Sequence, residues 1–348
     1  MRKYGYIGFV ALLLLCVAMI LIACQNNGGG ETETTSANTE KIVDTTVEST
    51  ESTTADFDET DAVTTQDDVT QPVDTQSESE SADSDTERDT EEDTVVYMSF
   101  SGTDCTMSKE DACTINGAIY LISQAGTYEL SGNLSNGQIR VQVDKTEDVT
   151  LILNNFTAHC DFSAPLYIVS ADEATLQMPE GTVNTFTDSE QYDHGDTKPN
   201  ACIYSSDDLI IRGKGSLNVT SLWNNGIGCK NDLTLRTGIF TVSAVKNAVK
   251  GNGSVTVENG ATVTVANGSD GIKTDSMNAG KGFILICEES HVSITCENDA
   301  LQATQAITVE TGCLVQYNSE TPVQCDGAVD IADGTVLPMD ESNETTVQ

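Results

Sequence analysis

Basic residues are scarce in this chain: 16 Lys and Arg face 55 Asp and Glu over 348 residues, a formal charge of −39. Nucleic-acid binding depends on Lys and Arg at phosphates, so this balance argues against such a partner. Histidine is rarer still. His159, His194 and His291 have no repeat relation to one another, and no Ser/His/Asp arrangement can be drawn at any spacing. Phosphate-cradling Gly loops after a strand, EF-hand loops and GGxGxD nonapeptides are also missing. Cysteine is present without a pattern. Beyond the first 24 residues there are nine (Cys105, Cys113, Cys160, Cys202, Cys229, Cys287, Cys296, Cys313 and Cys325), and none sits in a CxxC pair. An odd count without CxxC argues against zinc clusters and a full disulfide framework. Cys105 and Cys113 are the one candidate local bridge; several of the others read as small buried hydrophobes.

What is present starts with a targeting segment, residues 1–24. Arg2 and Lys3 precede the apolar run "GFVALLLLCVAMILIA", and "LIAC" at 21–24 resembles the lipobox of bacterial lipoproteins. That resemblance makes Cys24 the site of lipid attachment. An uncleaved anchor or a plain secretory signal is the alternative. The two main readings place the remaining chain outside the cytoplasm, on the extracellular face of the cell membrane. Residues 25–95 hold 22 acids against Lys41 and Arg88, with Phe57 the sole aromatic. Such a segment cannot bury enough apolar surface to offset its ordering entropy. Its like charges keep it extended, so it reads as a disordered acidic tether. Residues 96–348 form the folded domain. Its own charge is near −21, which is compatible with cation binding.

Within the domain, "NACIYSSDDLIIRG" at 200–213 and "NNGIGCKNDLTLRT" at 224–237 look like two copies of one phrase. The lone aliphatics of that phrase are Ile203, Ile227, Val249, Ile272 and Leu301, at steps of 24, 22, 23 and 29. The long step contains the insertion "SMNAGKG", and a sixth copy follows at Val323. Each is succeeded by alternating aliphatics such as Leu209/Ile211 and Leu233/Leu235. A second pair lies beyond a Gly-containing turn, such as Leu217/Val219 and Phe240/Val242. There are no helical runs at 3.6 spacing in this region. Three short strands in each 22–24-residue repeat are a solenoid signature, and alternation turns one face of each strand inward. An antiparallel sandwich with accidental periodicity is the alternative. Leucine-rich repeats share the period but need a Leu and Asn frame that is missing. "EDACTINGAIYLIS" at 110–123 is an opening segment with some helical character that covers the first coil, since solenoid ends must be capped. The polar stretch at 187–200 is a projecting loop.

Stacked coils bring equivalent residues within about 4.8 Å of each other. Asp207 and Asp208 then fall beside Asn231 and Asp232. Ca²⁺, which accepts six to eight oxygens in flexible geometry, would neutralise them; solvated turn acids are the alternative. A second ladder runs through Asn200, Asn225, Asn247, Asp270 and Asp299. Backbone hydrogen bonding between coils competes there with metal ligation. Tyr204, Lys250 and Lys273 align on one outward line. The lysines would meet sugar carboxylates, and Tyr192, Tyr204 and Trp223 would stack on sugar rings. Lysines merely offsetting the acidic face are the competing reading. Arg212 and Arg236 also align in adjacent coils.

"GTYELSG", "DDLIIRGKGSLNV", "KNDLTLRTGIFTVSA" and "SDGIKTD" resemble a family of bacterial surface carbohydrate-binding domains, over about residues 97–335. The resemblance implies a right-handed parallel β-helix similar to pectate lyases, of the clostridial polygalacturonate- and cellulose-binding type, with bound calcium and no established catalysis. The family's acidic pair falls on Asp207-Asp208 and Asn231-Asp232, and its DGIK on Asp270–Lys273. The chain departs from the pattern where Asn225 replaces the family's Asp and Gly228 its Lys, and again at "NAVKGNGS". The expectation is therefore an all-β chain: a monomeric, lipid-anchored surface protein that binds polysaccharide with Ca²⁺ and without catalysis. A calcium-dependent lyase using Arg212, Arg236 or Lys273 as base is the rival, and a structural adhesin the third reading.

Overall fold

The computed structural model describes residues 95–194 and 198–339, all within the second of the chain's two units, Ser84–Gln348. The targeting segment, Cys24 and the acidic stretch before residue 95 lie outside the described residues. From residue 119 on, the chain winds as a parallel β-helix with three faces.

Strands of the first face are Ile119–Ile122, Gln138–Gln142, Leu166–Ser170, Ala201–Ser205 and Asn225–Cys229. Val249–Gly251, Ile272–Lys273, Asp299–Ala303 and Thr321–Cys325 continue the stack. In the later coils each is followed by a second-face strand, such as Asp208–Gly213 or Asp232–Arg236, and a third-face strand, such as Ser216–Thr220 or Ile239–Ser243. In the first coils Gly126–Leu134 and Val149–His159 are long enough to serve both faces. The first half of the latter pairs with Glu173–Met178 and its end with Val183–Thr187.

Register follows the repeated phrase. Ile203, Ile227, Val249, Ile272, Leu301 and Val323 are successive partners in one ladder. The first five are fully buried, and Val323 packs against the core from its edge. Parallel ladders run through Ile211, Leu235, Val257, Ile286 and Val309 on the second face. On the third face the inward ladder is Val219, Val242, Val265 and Ile294. Each fully buried Val, Leu or Ile contributes about 1.5–3 kcal/mol relative to exposure, so every added coil extends one continuous apolar column.

The opening segment differs from the sequence expectation. Its helical part is a single 3₁₀ turn, Glu110–Ala112. The rest is an antiparallel hairpin between Thr114–Asn116 and Ile119–Ile122. A second antiparallel pair joins Val96–Gly102 to Asp104–Met107. Antiparallel strands at the first coil close an end that parallel stacking would leave open. Phe100 seals it from inside, edge-on to Tyr120 at 5.1 Å and tilted against Phe156 at 5.3 Å. The candidate bridge between Cys105 and Cys113 is not formed: all nine described cysteines are free thiols. Six of them are buried, and burial pushes the Cys113 and Cys229 thiols up to about 12.

Candidate functional site: an outward ladder on the first face

On the first face the outward positions form one continuous row. Leu121, Arg140, Tyr167, Tyr204, Gly228, Lys250, Lys273, Gln302 and Gln324 are successive register partners over nine coils. The expected alignment of Tyr204, Lys250 and Lys273 is therefore present. Sequence reading missed Arg140 and Tyr167, which extend the row two coils upstream, because loops between the early coils break the period without breaking the register.

Chemistry changes along the row. Arg140 places its guanidinium 5.7 Å from the Tyr167 ring centre, and its Nε donates to Gln138 Oε1 at 2.8 Å. The rings of Tyr167 and Tyr204 meet edge to face at 5.7 Å. Lys198, carried in by the 187–200 loop, sits 5.4 Å from the Tyr204 ring centre. Burial, and then the nearby Lys230 charge, lower the Lys198 pKa from its ordinary value. Tyr204 is only 3% exposed, one edge of its ring filling the space where Gly228 has no side chain, so it does not present the ring face expected of it to a sugar. Lys198, Asn200, Tyr204, Asn225, Gly228 and Lys250 line a small hollow there. Further along, Lys250 pairs with Asp275 at 2.7 Å and Lys273 with Asp270 at 2.8 Å. Both lysines are about three-quarters covered, so they are fixed parts of the face rather than free solvated charges. Four of the domain's twelve basic residues thus lie on this one face.

The other expected stacking residues sit elsewhere. Tyr192 is 1% exposed and serves the interior. Its hydroxyl donates to Asp188 at 2.6 Å and its ring stacks on Trp223 at 6.0 Å. Asp188, fully buried, also accepts from Ser221 Oγ at 2.7 Å and the Leu222 amide at 2.6 Å. This carboxylate anchors the root of the projecting loop, and the need to satisfy a buried charge draws Tyr192 inward. Tyr192 therefore offers no ring to a sugar.

The acids are placed as follows. Asp207 pairs with Lys145 at 3.2 Å and accepts the Ala171 amide, while Asp208 accepts the Asp232 amide at 3.1 Å. Asp232 accepts from Ser254 Oγ at 2.7 Å and forms an ion pair with Lys281. Lys281 belongs to the "SMNAGKG" insertion, so the insertion that stretches the repeat also neutralises the acid. Among the described residues no three His, Cys, Asp or Glu side chains converge on one metal position. Asp270 and Asp299 do not join this cluster. They continue the amide ladder at the other end of the first-face strands. There Asn225 Nδ2 donates to the Asn200 carbonyl at 2.8 Å, Asn247 donates to Asn225 Oδ1 at 2.7 Å, and Asp270 accepts the Asp299 amide. Arg212 and Arg236 are register partners beside a separate open cavity of about 590 Å³. There Arg236 is paired with Glu258.

Comparison with known proteins supplies the context for this face. A family model described as carbohydrate-binding domain-containing protein matches residues 116–336. A carbohydrate-binding domain-containing protein of Acetivibrio thermocellus is 34% identical over 234 residues, covering 66% of this chain and 82% of the relative. Among solved structures, the polysaccharide lyase-like protein from C. thermocellum, in a gadolinium derivative, superposes with a TM-score of 0.67 at 33% identity. The match covers 71% of this chain and all of that one.

Proposed function

The chain belongs to the carbohydrate-binding domain family, and from that premise we propose that it is a lipid-anchored surface protein whose first face binds an acidic polysaccharide without cleaving it. The observation that carries this reading is the single row from Arg140 to Lys273. It aligns the part-exposed Tyr167 ring and three fixed cations at the spacing of the coils on an otherwise strongly acidic domain. An extended uronate chain lying along the helix axis meets Arg140, Lys198, Lys250 and Lys273 through its carboxylates. The Tyr167 ring faces the apolar side of its sugars. Exposed ion pairs contribute about 0–1 kcal/mol each, so affinity arises from several weak contacts on one polymer.

Calcium is part of the proposal in a modified form. Asp207, Asp208 and Asp232 carry the oxygen ligands a hard cation takes, but among the described residues no three carboxylates meet at one position while Lys145 and Lys281 hold Asp207 and Asp232; gadolinium, the ion of the relative's derivative, is another such cation. Here Lys145 and Lys281 supply the positive charge, so calcium binds by competing with them.

One observation favours a second reading, lyase activity: the solved relative is called polysaccharide lyase-like. A β-elimination needs a free base beside the uronate. Lys250 and Lys273 are held in ion pairs; Arg236 is paired with Glu258, and it and Arg212 flank a cavity away from the first face. Incubation with polygalacturonate separates the two. A binder is depleted from solution and leaves the polymer intact, whereas a lyase releases unsaturated products that absorb in the ultraviolet.

A further inference from the structure

The turns that join the second face to the third differ in length, and the cavity of about 590 Å³ lies where they meet. Four residues, 179–182, separate Met178 from Val183, whereas two separate Gly213 from Ser216 and Arg236 from Ile239. The longer turn is closed on itself, the Thr182 amide and hydroxyl both donating to the Pro179 carbonyl, and it holds Glu180 in the cavity wall. The short turns bring the coils close: a Cβ at Gly213, which stands at φ +120°, would collide with the Met178 carbonyl. Arg212, Lys214 and Arg236 supply the cations of the wall. The domain has three arginines, so two of them meet here. Both belong to an outward row of successive register partners, Gln177, Arg212, Arg236 and Glu258, which sets the two about 4.8 Å apart along the stack. Like charges facing each other on neighbouring strands are destabilising. Glu258, in the next coil, neutralises Arg236. Arg212 has only the neutral Gln177 on its other side, is exposed, and among the described residues pairs with no acid. Lys214 approaches Glu180 only to 4.0 Å, and both side chains are more than two-thirds exposed. A domain with a charge near −21 thus gathers three cations in one cavity and leaves Arg212 among them unanswered.

We propose that this cavity binds a tetrahedral oxyanion, a phosphate or sulfate ester carried on a sugar or polyol. The site stands independently of the first face and of its uronate. The choice of ligand follows from counting oxygens. A carboxylate has two, which a single guanidinium fork satisfies in bidentate fashion. A phosphate or sulfate ester brings three terminal oxygens, enough for Arg212, Arg236 and the Lys214 ammonium at once. Arg236 gives its Nε to Glu258 and keeps its terminal nitrogens for the ester. The ester's charge also offsets the repulsion between the two arginines, which no acid does for Arg212. The volume falls within the roughly 300–1,000 Å³ of small-molecule sites. The sugar or polyol that bears the ester therefore has room, with Met178 and Pro179 as the apolar part of the wall.

The test follows the arginine Nε–Hε signals in a heteronuclear NMR spectrum of the full chain, which has five arginines and therefore five such positions to distinguish. Arg212→Gln and Arg236→Gln each remove one signal and so assign it. Glycerol 3-phosphate, glucose 6-sulfate and galacturonate are titrated separately at constant ionic strength. The Arg212 and Arg236 signals are expected to shift together and to saturate with at least one ester. The ester that saturates at the lower concentration names the group, and galacturonate should not saturate them. Lys214→Gln is expected to weaken ester binding about tenfold, one charged hydrogen bond's worth. Glu180→Gln, which removes the wall's acid, should tighten it by up to about fivefold. Melting of the free protein supplies the second readout. Arg212→Gln relieves a like-charge contact, so it should melt no lower than wild type. Signals that stay in place, that drift without saturating, or that galacturonate moves equally would overturn the site, whatever the first face binds. An Arg212→Gln variant that melts several degrees lower would give this side chain to the fold and overturn the site as well.

Discussion

The ring of Tyr204 lies against the position where Gly228 lacks a side chain: a Cβ at Gly228 would stand 3.2 Å from Tyr204 Cδ2 and 2.7 Å from the Cβ of Ala201. Gly228 therefore leaves room for one edge of the Tyr204 ring on the first face. The Ala201 contact is rigid, so Gly228→Ala forces either the backbone or the ring to move. Overpacking of this kind costs about 1–3 kcal/mol, a fall in Tm of roughly 2–12 °C for a domain of this size. Ala201→Gly added to Gly228→Ala should recover part of the loss. An unchanged melting curve for the single variant would show that the ring is not held there.

Lys281 occupies the position that the sequence suggested for a metal. Its hydrogen bond to Asp232 raises its pKa above the ordinary lysine value, so it stays charged through neutral pH. Lys281→Met leaves Asp208 and Asp232 without that cation. Millimolar Ca²⁺ should then raise the melting temperature of the variant more than that of wild type, and EDTA should reverse the gain. A ligand at a hundred times its Kd stabilises by about 2.7 kcal/mol. No calcium effect in either protein would make these acids purely lysine-held turn residues.

Asp188 anchors the 187–200 loop. Burial raises its pKa against the lowering effect of its bonds from Tyr192, Ser221 and Leu222. The sign follows from proton uptake. Between the ordinary carboxylate value and the raised native value, the folded state holds the proton that the unfolded state has lost. Stability therefore declines as pH rises through that window and levels off above it. Asp188→Asn should flatten this component in a difference plot of Tm against pH. Asp188→Ala, which strands three donors, should cost about 2–4 kcal/mol at neutral pH. Identical pH profiles for wild type and Asp188→Asn would contradict the assignment.

Cys24 lies outside the described residues, and anchoring rests on the "LIAC" pattern. Cys24→Ala is expected to release the protein from membranes or stop its maturation, since stable anchoring takes more than one acyl chain. Detergent partitioning equal to wild type would make the apolar segment an uncleaved anchor.

Much of the architecture was legible because parallel coils translate sequence period directly into register. Six lone aliphatics found by spacing are six successive partners of one ladder, the first five buried, and Lys250 and Lys273 align as expected. What escaped came from the corners. Lys145 and Lys281 reach Asp207 and Asp232 across 62 and 49 residues, on loops with no periodic relation to the strands. Arg140 and Tyr167 were hidden because the early coils differ in length. Tyr192 looked exposed in a polar loop, yet a buried carboxylate four residues away claims its hydroxyl.

The central claim, that the first-face row binds an acidic polysaccharide, is tested most directly by measuring affinity for polygalacturonate with the row disarmed. Arg140→Ala, Lys250→Ala and Lys273→Ala are combined, and a melting curve of the free variant checks that the domain stays folded. The triple variant should lose most of its polygalacturonate binding, and the residual binding should depend less on salt than that of wild type. A folded variant that binds as tightly as wild type, with the same salt dependence, would contradict the account.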